Sequence, residues 1–461
     1  MKAELYNYDI YPKVFIGDNE KKITIQPLGT QSRFKADKVY TVKIFKVAEA
    51  NPSKYPERSG RSYLEVIPNE EGNLCFSAYF EGEGEHFINV YDDPNARHFL
   101  TLSVYSLGKD MKGRIPQRGD LHMHTCRSDA CEIPAVVAAN YRAKGYDFLS
   151  ITDHDRYYPS LEAIEAFSAL DTTYTLVPGE EVHLPLTNVH IVNFGGLHSI
   201  NGLINDTPSY TEVNGDPDRL SAIGEPGPAR TREAYCEEIK KLADELTVPE
   251  GVDPLSYATC LWAFNHIREA DGLAIFAHPY WLANVFHVSE ALTHHLMETC
   301  AFDAFEVLGG ENYYQQNGYQ TALYYEEWKH GRVHAIVGST DSHGSTEHNR
   351  NCTICSTIVF STVNERKALI DSIKGRYSVA VDTISKEYRL VGEERFQRYA
   401  CFLMENWYPL HDAVCQQEGY WMKAYATHSD EEAETVLKVI SPRVKALFDK
   451  FFLLADHADS M

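Results

Sequence analysis

The chain has 461 residues, 44% of them hydrophobic and 24% charged, which excludes a peptide hormone, a disulfide-stapled miniprotein and a wholly disordered chain. It leaves room for about two to three domains. Its 43 basic against 66 acidic residues give a formal charge of −23, a field that repels polyanions and disfavours a nucleic-acid polymer or an anionic membrane face as partner.

The opening MKAELYNYDIYPK has no apolar run of signal-peptide length, and no later stretch approaches the ~18 apolar residues of a membrane span, so a cytoplasmic location is expected. From there to residue 115 the pattern is of short strands, rich in β-formers at Val39 to Val47 and alternating at Leu100, Leu102 and Val104. The EGEGE at 81–85 reads as the turn of a hairpin, and the whole as a small antiparallel β domain. A Gly-rich, basic, aperiodic stretch at 108–119 reads as a linker.

After the linker the pattern changes to strand, loop, helix. Pro134 to Lys144 is helical with Gly145 at its end, and Phe148 to Ile151 is a buried strand leading into Thr152, Asp153 and His154. Similar apolar runs recur at 273–279, 302–310 and 334–343, implying an α/β domain over 116–385 with a parallel sheet or barrel, whose active site gathers at the C-terminal strand ends. Residues 200–260 interrupt this rhythm as an insertion. The remainder, 386–461, reads as a helical C-terminal extension in which Ser441-Pro442 opens a last helix with Val444, Leu447, Phe448, Phe451 and Leu454 as a core stripe. The ten cysteines are scattered, so reduced thiols are expected; Cys352 and Cys355 lie in a strand-like run and lack the second pair of a zinc ribbon.

The chemistry is carried by histidines at strand ends. His122 and His124 stand two apart, which in an extended segment puts both on one face, and Asp129 follows within one loop. His154, Glu181, His190 and His278 each fall at a further strand-to-loop transition, and Asp341 and His343 are again two apart. Six imidazoles and three carboxylates so placed read as a polynuclear metal site.

Together DLHMHTCRSD, SITDHD, PGEEV, VHIVNF, AHP and STDSH resemble the PHP family, named for polymerase and histidinol phosphatase, over roughly residues 118–385. The resemblance implies a distorted (β/α)7 barrel with two to three divalent ions, zinc, manganese or iron. It places one ion on His122, His124 and Asp341, a second on His190 and His278 with Glu181 bridging, and a third on Asp129, His154 and His343. The G-x-E spacing of the family selects Glu181 over Glu180. His183, two residues after Glu181, is the alternative to His190, which is preferred for its HIVNFG context.

The function expected is hydrolysis of a phosphate ester, a phosphomonoester or nucleotide, by a hydroxide held between the metals and not by a side chain. Asp153 is a candidate to accept an imidazole N–H or to protonate the leaving group, and Glu306 to support a ligand from behind. Arg156, with Arg127 and Arg350, is a candidate to hold the substrate phosphate. The competing expectations are an amidohydrolase-like attack on a C–N or carboxyl-ester bond, and a metal-binding scaffold without activity.

Overall fold

The computed structural model describes residues 7–30, 32–49, 63–93, 98–205, 230–309, 314–346, 355–383 and 389–452. The chain divides into two compact units, one of Met1–Arg114, Glu394–His411 and Arg443–Met461, the other of Ile115–Glu393 and Asp412–Pro442. Among the described residues no helix is long and apolar enough to cross a membrane.

The first unit holds two β-sheets. Tyr8–Tyr11, Asn19–Pro27 and Leu74–Phe80 form one, and Val14–Ile16, Leu100–Leu107, Gly84–Tyr91, Tyr40–Lys46 and Tyr63–Val66, in that order, form the other. These strands put Ile23, Ile25, Val42, Ile88, Val90, Leu102 and Val104, each pair within a strand two residues apart, in one buried cluster. The turn at 81–85 is not that of a hairpin. Leu74–Phe80 pairs with Asn19–Pro27, whereas Gly84–Tyr91 pairs with Tyr40–Lys46 and Leu100–Leu107. The chain thus crosses from one sheet to the other at Gly82 (φ 63°) and Gly84 (φ 146°), conformations that favour glycine. Within the same unit Trp407 is fully buried, its ring 4.6–4.9 Å from those of Phe448, Phe451 and Phe452.

The second unit is α/β, as expected. The strands of its two larger sheets are β1 (Ile115–Asp120), β2 (Phe148–Ser150), β3 (Thr175–Val177), β4 (Gly179–Val182), β5 (Ile191–Phe194), β6 (Leu273–Phe276), β7 (Ala304–Leu308), β8 (Ile336–Gly338), β9 (Cys355–Ser361), β10 (Ser378–Asp382) and β11 (Arg389–Val391). They hydrogen-bond as two open sheets, β3-β2-β1-β9-β10-β11 and β4-β5-β6-β7-β8, and not as a continuous seven-stranded (β/α) barrel. Within these two sheets parallel pairing is confined to β1-β2-β3 and β6-β7-β8, and the other neighbours are antiparallel. Two isolated parallel bridges lie beyond the ladders, Met123 to Ser342 and His154 to Glu181. Helices α1 (Pro134–Ala143) and α2 (Tyr158–Phe167) follow β1 and β2.

The insertion contains the helix Arg232–Glu245, capped by the Thr231 hydroxyl on the Ala234 N–H, and is followed by a helix at Pro254–Glu269; its residues 206–229 lie outside those described. Cys352, Arg350 and Leu454 also lie outside them; Cys355 is a buried free thiol in β9. In the tail Pro442 does not open a helix but sits inside one, Ala433–Phe452. A proline there removes one i→i−4 hydrogen bond, and the buried residues on either side, Leu437 and Ile440 before it and Val444 and Phe448 after it, continue one apolar face.

The segment Asp412–Pro442 joins the α/β unit through a buried cation. The Arg142 guanidinium, fully buried on α1, donates from Nε to Glu418 Oε2 at 2.6 Å and from Nη1 to Asp147 Oδ1 at 3.2 Å, with further bonds to the Tyr146 carbonyl and the Thr173 hydroxyl. Close approach of α1 and the helix Tyr408–Ala426 requires Gly419, where a Cβ would stand 2.1 Å from the Ala143 nitrogen. Arg142→Leu, which strands Glu418 and Asp147 as buried carboxylates, lowers the unfolding free energy of this unit by about 3–5 kcal/mol. Lys438→Ala, which breaks the exposed Lys438 to Glu434 pair, changes it by less than about 0.5 kcal/mol. Urea unfolding followed by circular dichroism measures both.

Candidate metal centre

Three loops at one end of the sheets run side by side. Beyond β8 and β1, the Asp341 N–H donates to the His122 carbonyl at 2.8 Å and the His124 N–H to the Ser342 carbonyl at 2.9 Å. Met123 and Ser342 form the bridge between these donors, so their side chains leave by one face and His122, His124, Asp341 and His343 by the other. Beyond β2, the Thr152 N–H donates to the Met123 carbonyl at 2.9 Å and the Asp155 N–H to the Glu181 carbonyl at 3.1 Å, which aligns His154 between the His124 and Glu181 segments. β5 runs antiparallel, so His190, at its start, lies at the same end as His278, which follows β6. Asp341 (φ 47°) and Asp155 (φ 59°) hold left-handed backbone conformations beside this cluster.

Glu181 is the centre of the arrangement. It is fully buried, and neither carboxylate oxygen makes a hydrogen bond. Around Oε1 stand His190 Nδ1 at 2.8 Å, His122 Nε2 at 3.3 Å and His278 Nε2 at 3.5 Å. Around Oε2 stand His154 Nδ1 at 2.5 Å, His183 Nε2 at 3.2 Å and His124 Nε2 at 3.7 Å. Asp341 Oδ1 lies 2.8 Å from His124 Nε2 and 3.4 Å from His122 Nε2, and its Oδ2 3.7 Å from His278 Nε2. On the far side of His154, Asp129 Oδ2 lies 3.5 Å from His154 Nε2 and 3.4 Å from His343 Nε2. All nine residues expected from the sequence therefore come together.

The donor set fits divalent cations. Four ligands at ~2.0–2.1 Å from an ion are about 3.3–3.4 Å from one another, and most spacings around Glu181 and Asp129 fall near that value. His122 Nε2, His190 Nδ1 and His278 Nε2 are also buried without a hydrogen-bond partner, an arrangement that buried polar atoms avoid unless something else binds them. Five overlapping groups could each hold an ion: His124 with Asp129, His154 and His343; His122 with His124 and Glu181; His122 with His278 and Glu306; His154 with Glu181 and His183; and Glu181 with His190 and His278.

Electrostatics agree with the geometry. Burial opposes ionisation of Glu181, but the imidazoles of His190, His154, His183 and His122 outweigh it and hold the carboxyl well below the usual carboxylate range. Asp341 is likewise held low against burial by His122, His124 and His278, and Asp129 by His154 and His343. Burial depresses His190 far below an ordinary imidazole and brings His124 down to about 3, so both offer neutral nitrogen. His122 and His154 are raised despite burial, His122 by Asp341, Glu181 and Glu306, His154 by Glu181 and Asp129. A cation that takes their nitrogens displaces protons.

The neighbours of these residues are positioned by a second set of hydrogen bonds. Glu306 Oε2 lies 3.0 Å from His122 Nδ1, fixing that ring with Nε2 toward Glu181. Asp120, pushed up to about 7 by burial, accepts from the Thr340 hydroxyl, the Thr340 N–H and the His122 N–H, tying the two ligand loops together. Asp153 makes no bond to His154. It accepts from the backbone and hydroxyl of Thr125 and of Ser128, which shapes the loop leading to Asp129. Glu180, one residue before Glu181, faces the other way and accepts from Asn193, Ser199, Ile200 and Asn201. Arg127 is paired with Glu162. Arg156 is buried, and none of its guanidinium nitrogens has a hydrogen-bond partner.

Sequence reasoning set His183 against His190, yet both reach Glu181, on different oxygens. The signal for His183 is the E-x-H spacing, which repeats the one-face rule of the other two motifs. His287 gave no signal; its ring lies 4.7 Å from that of His190 and 4.9 Å from that of Trp281.

No family model and no curated protein matches this chain. Solved structures that do include a two-domain protein from Bacteroides vulgatus containing a predicted PHP-like metal-dependent phosphoesterase, at 15% identity and TM-score 0.38, over 58% of this chain and 65% of that one. An amidohydrolase from Chromobacterium violaceum with bound sulfate and no metal matches at 16% identity and TM-score 0.31, over 58% of this chain and 99% of that one. At such scores neither likeness bears on the chemistry, which rests on the side chains above.

Exhaustive chelation of the protein lowers its melting temperature, and re-addition of zinc or manganese restores it. For Glu181→Gln, whose amide cannot replace the shared carboxylate, the metal-induced increase falls by at least about half. Differential scanning fluorimetry with and without chelator measures both.

Proposed function

We propose that the chain is a metal-dependent hydrolase of phosphate esters, a phosphomonoester or nucleotide, using two to three divalent ions, zinc, manganese or iron, held by the loops at one end of the two sheets. The observation that carries this reading is Glu181, a carboxylate buried among six imidazoles with both oxygens free of hydrogen bonds. One oxygen faces each half of the cluster, which suits it to join two ions.

When bound, the ions supply Lewis acidity and activate water for in-line displacement. The chain's residues do the rest. His122, His190 and His278 gather at one side of Glu181 and His124 and His154 at the other, Asp341 closes the first group, and Asp129 with His343 provides the third position. Glu306 orients His122 and Asp120 locks the paired loops, so the donors are held before any ion arrives. Asp153 acts on Asp129 by shaping its loop and is a positioning residue.

Arg156 supports an anionic substrate. A buried guanidinium whose nitrogens have no hydrogen-bond partner is costly, and the complement of its fork is a carboxylate or phosphate. It stands two residues after His154, at the entrance to α2. The charge of −23 favours a small substrate over a polymer.

Phosphate release from a panel of phosphomonoesters and nucleotides, by chelator-stripped protein reloaded with manganese or zinc, tests the reading. His122→Ala is expected to lower kcat/KM by about 10³-fold and Arg156→Met by about 10–100-fold, the worth of one or two charge-assisted bonds. Reloaded protein that binds metal, releases no phosphate and instead cleaves a carboxyl ester or amide would move the chemistry to the amidohydrolase class.

A further inference from the structure

The nine residues of the centre leave out one imidazole that stands among the donors. His183 Nε2 is 3.2 Å from Glu181 Oε2 and 3.2 Å from His154 Nδ1. It leaves the chain two residues after Glu181, on the same face of an extended segment. Its backbone is fixed: the His183 N–H donates to Asn201 Oδ1, while Asn201 Nδ2 donates to the Glu181 carbonyl and to Glu180. The side chain therefore starts from an anchored position beside the bridge.

A bond between the His154 and His183 rings explains their own spacing but leaves Glu181 Oε2 unsatisfied. An ion between the three atoms satisfies all of them: His183 Nε2 stands 3.2 Å from each of the other two, near the edge of a tetrahedron around a divalent cation, about 3.3–3.4 Å, while Glu181 Oε2 and His154 Nδ1 are closer together, at 2.5 Å. His154 meanwhile turns its other nitrogen, Nε2, to Asp129, whose carboxylate also faces His343.

We propose that His183 is a metal ligand, forming with Glu181 Oε2 and His154 Nδ1 an ion site separate from the one at His154 Nε2, so that His154 stands between two ions. The proposal rests on the reading of this cluster as a metal centre and adds a tenth ligand to it. On taking an ion at each nitrogen, His154 keeps no ring proton: the neutral ring releases one proton to solvent and the imidazolium two.

The test uses cobalt(II), with ions per chain counted by mass spectrometry and the ligand-sensitive visible absorption recorded, on full-length wild type, His183→Ala, His183→Gln and His287→Ala. A chelator is titrated against each. The expected result is that both His183 variants surrender one cobalt at about tenfold lower chelator than wild type, with a changed absorption band, while His287→Ala behaves as wild type. Circular dichroism reports folding, and if His183→Ala is unfolded the Gln variant decides. Folded His183 variants that keep every ion, at unchanged chelator concentration and with an unchanged spectrum, overturn the proposal and leave the metal reading intact. Wild type that holds no cobalt overturns both.

Discussion

A carboxylate taken out of water must be compensated, and the requirement is sharpest at Glu181, where six imidazole nitrogens approach two oxygens and no hydrogen bond results. Much of the α/β unit can be read as the scaffolding this demands. Parallel backbone pairing beyond β1, β2 and β8 brings the ligand loops into register, and the reversal of β5 brings His190 to the same end. Asp120, Asp153 and Glu180, all buried acids, spend their hydrogen bonds on the loops and not on the ligands. Three carboxylates fix the framework so that Glu181, Asp341 and Asp129 can remain available.

The site was legible in the sequence because its geometry is local. His122 with His124, Asp341 with His343, and Glu181 with His183 each use the two-residue repeat of an extended chain, so spacing alone fixes which side chains share a face. The same alternation separates Glu181 from Glu180, one facing imidazoles and the other backbone and amide donors. Spacing could not rank His183 against His190, since nothing in it says that a carboxylate has two oxygens to serve. Nor could it find His287, which reaches the cluster through the hairpin Leu282–Phe286.

What was not legible depends on partners far along the chain. The glycine turn at 81–85 has the composition of a hairpin, but strand choice is decided by Asn19–Pro27 and Leu100–Leu107, and each flanking strand went to a different sheet. Repeated apolar runs imply a parallel sheet or barrel and the family resemblance a closed barrel, but such runs carry no information on direction; β5 and β9 run antiparallel to their neighbours. Arg142 and Glu418 are 276 residues apart, and only the fold reveals them as a buried pair. Pro442 looked like a helix start because its ring suits the first turn, yet the apolar face continues through it.

The central claim is that the Glu181 carboxylate joins two cations. The most direct measurement is X-ray diffraction from crystals grown with zinc or manganese, with anomalous maps collected above and below the absorption edge of the metal. The account predicts one anomalous peak beside Glu181 Oε1 among His122, His190 and His278, and another beside Oε2. Peaks confined to surface histidines, with the Glu181 oxygens hydrogen-bonded to protonated imidazoles, would contradict it.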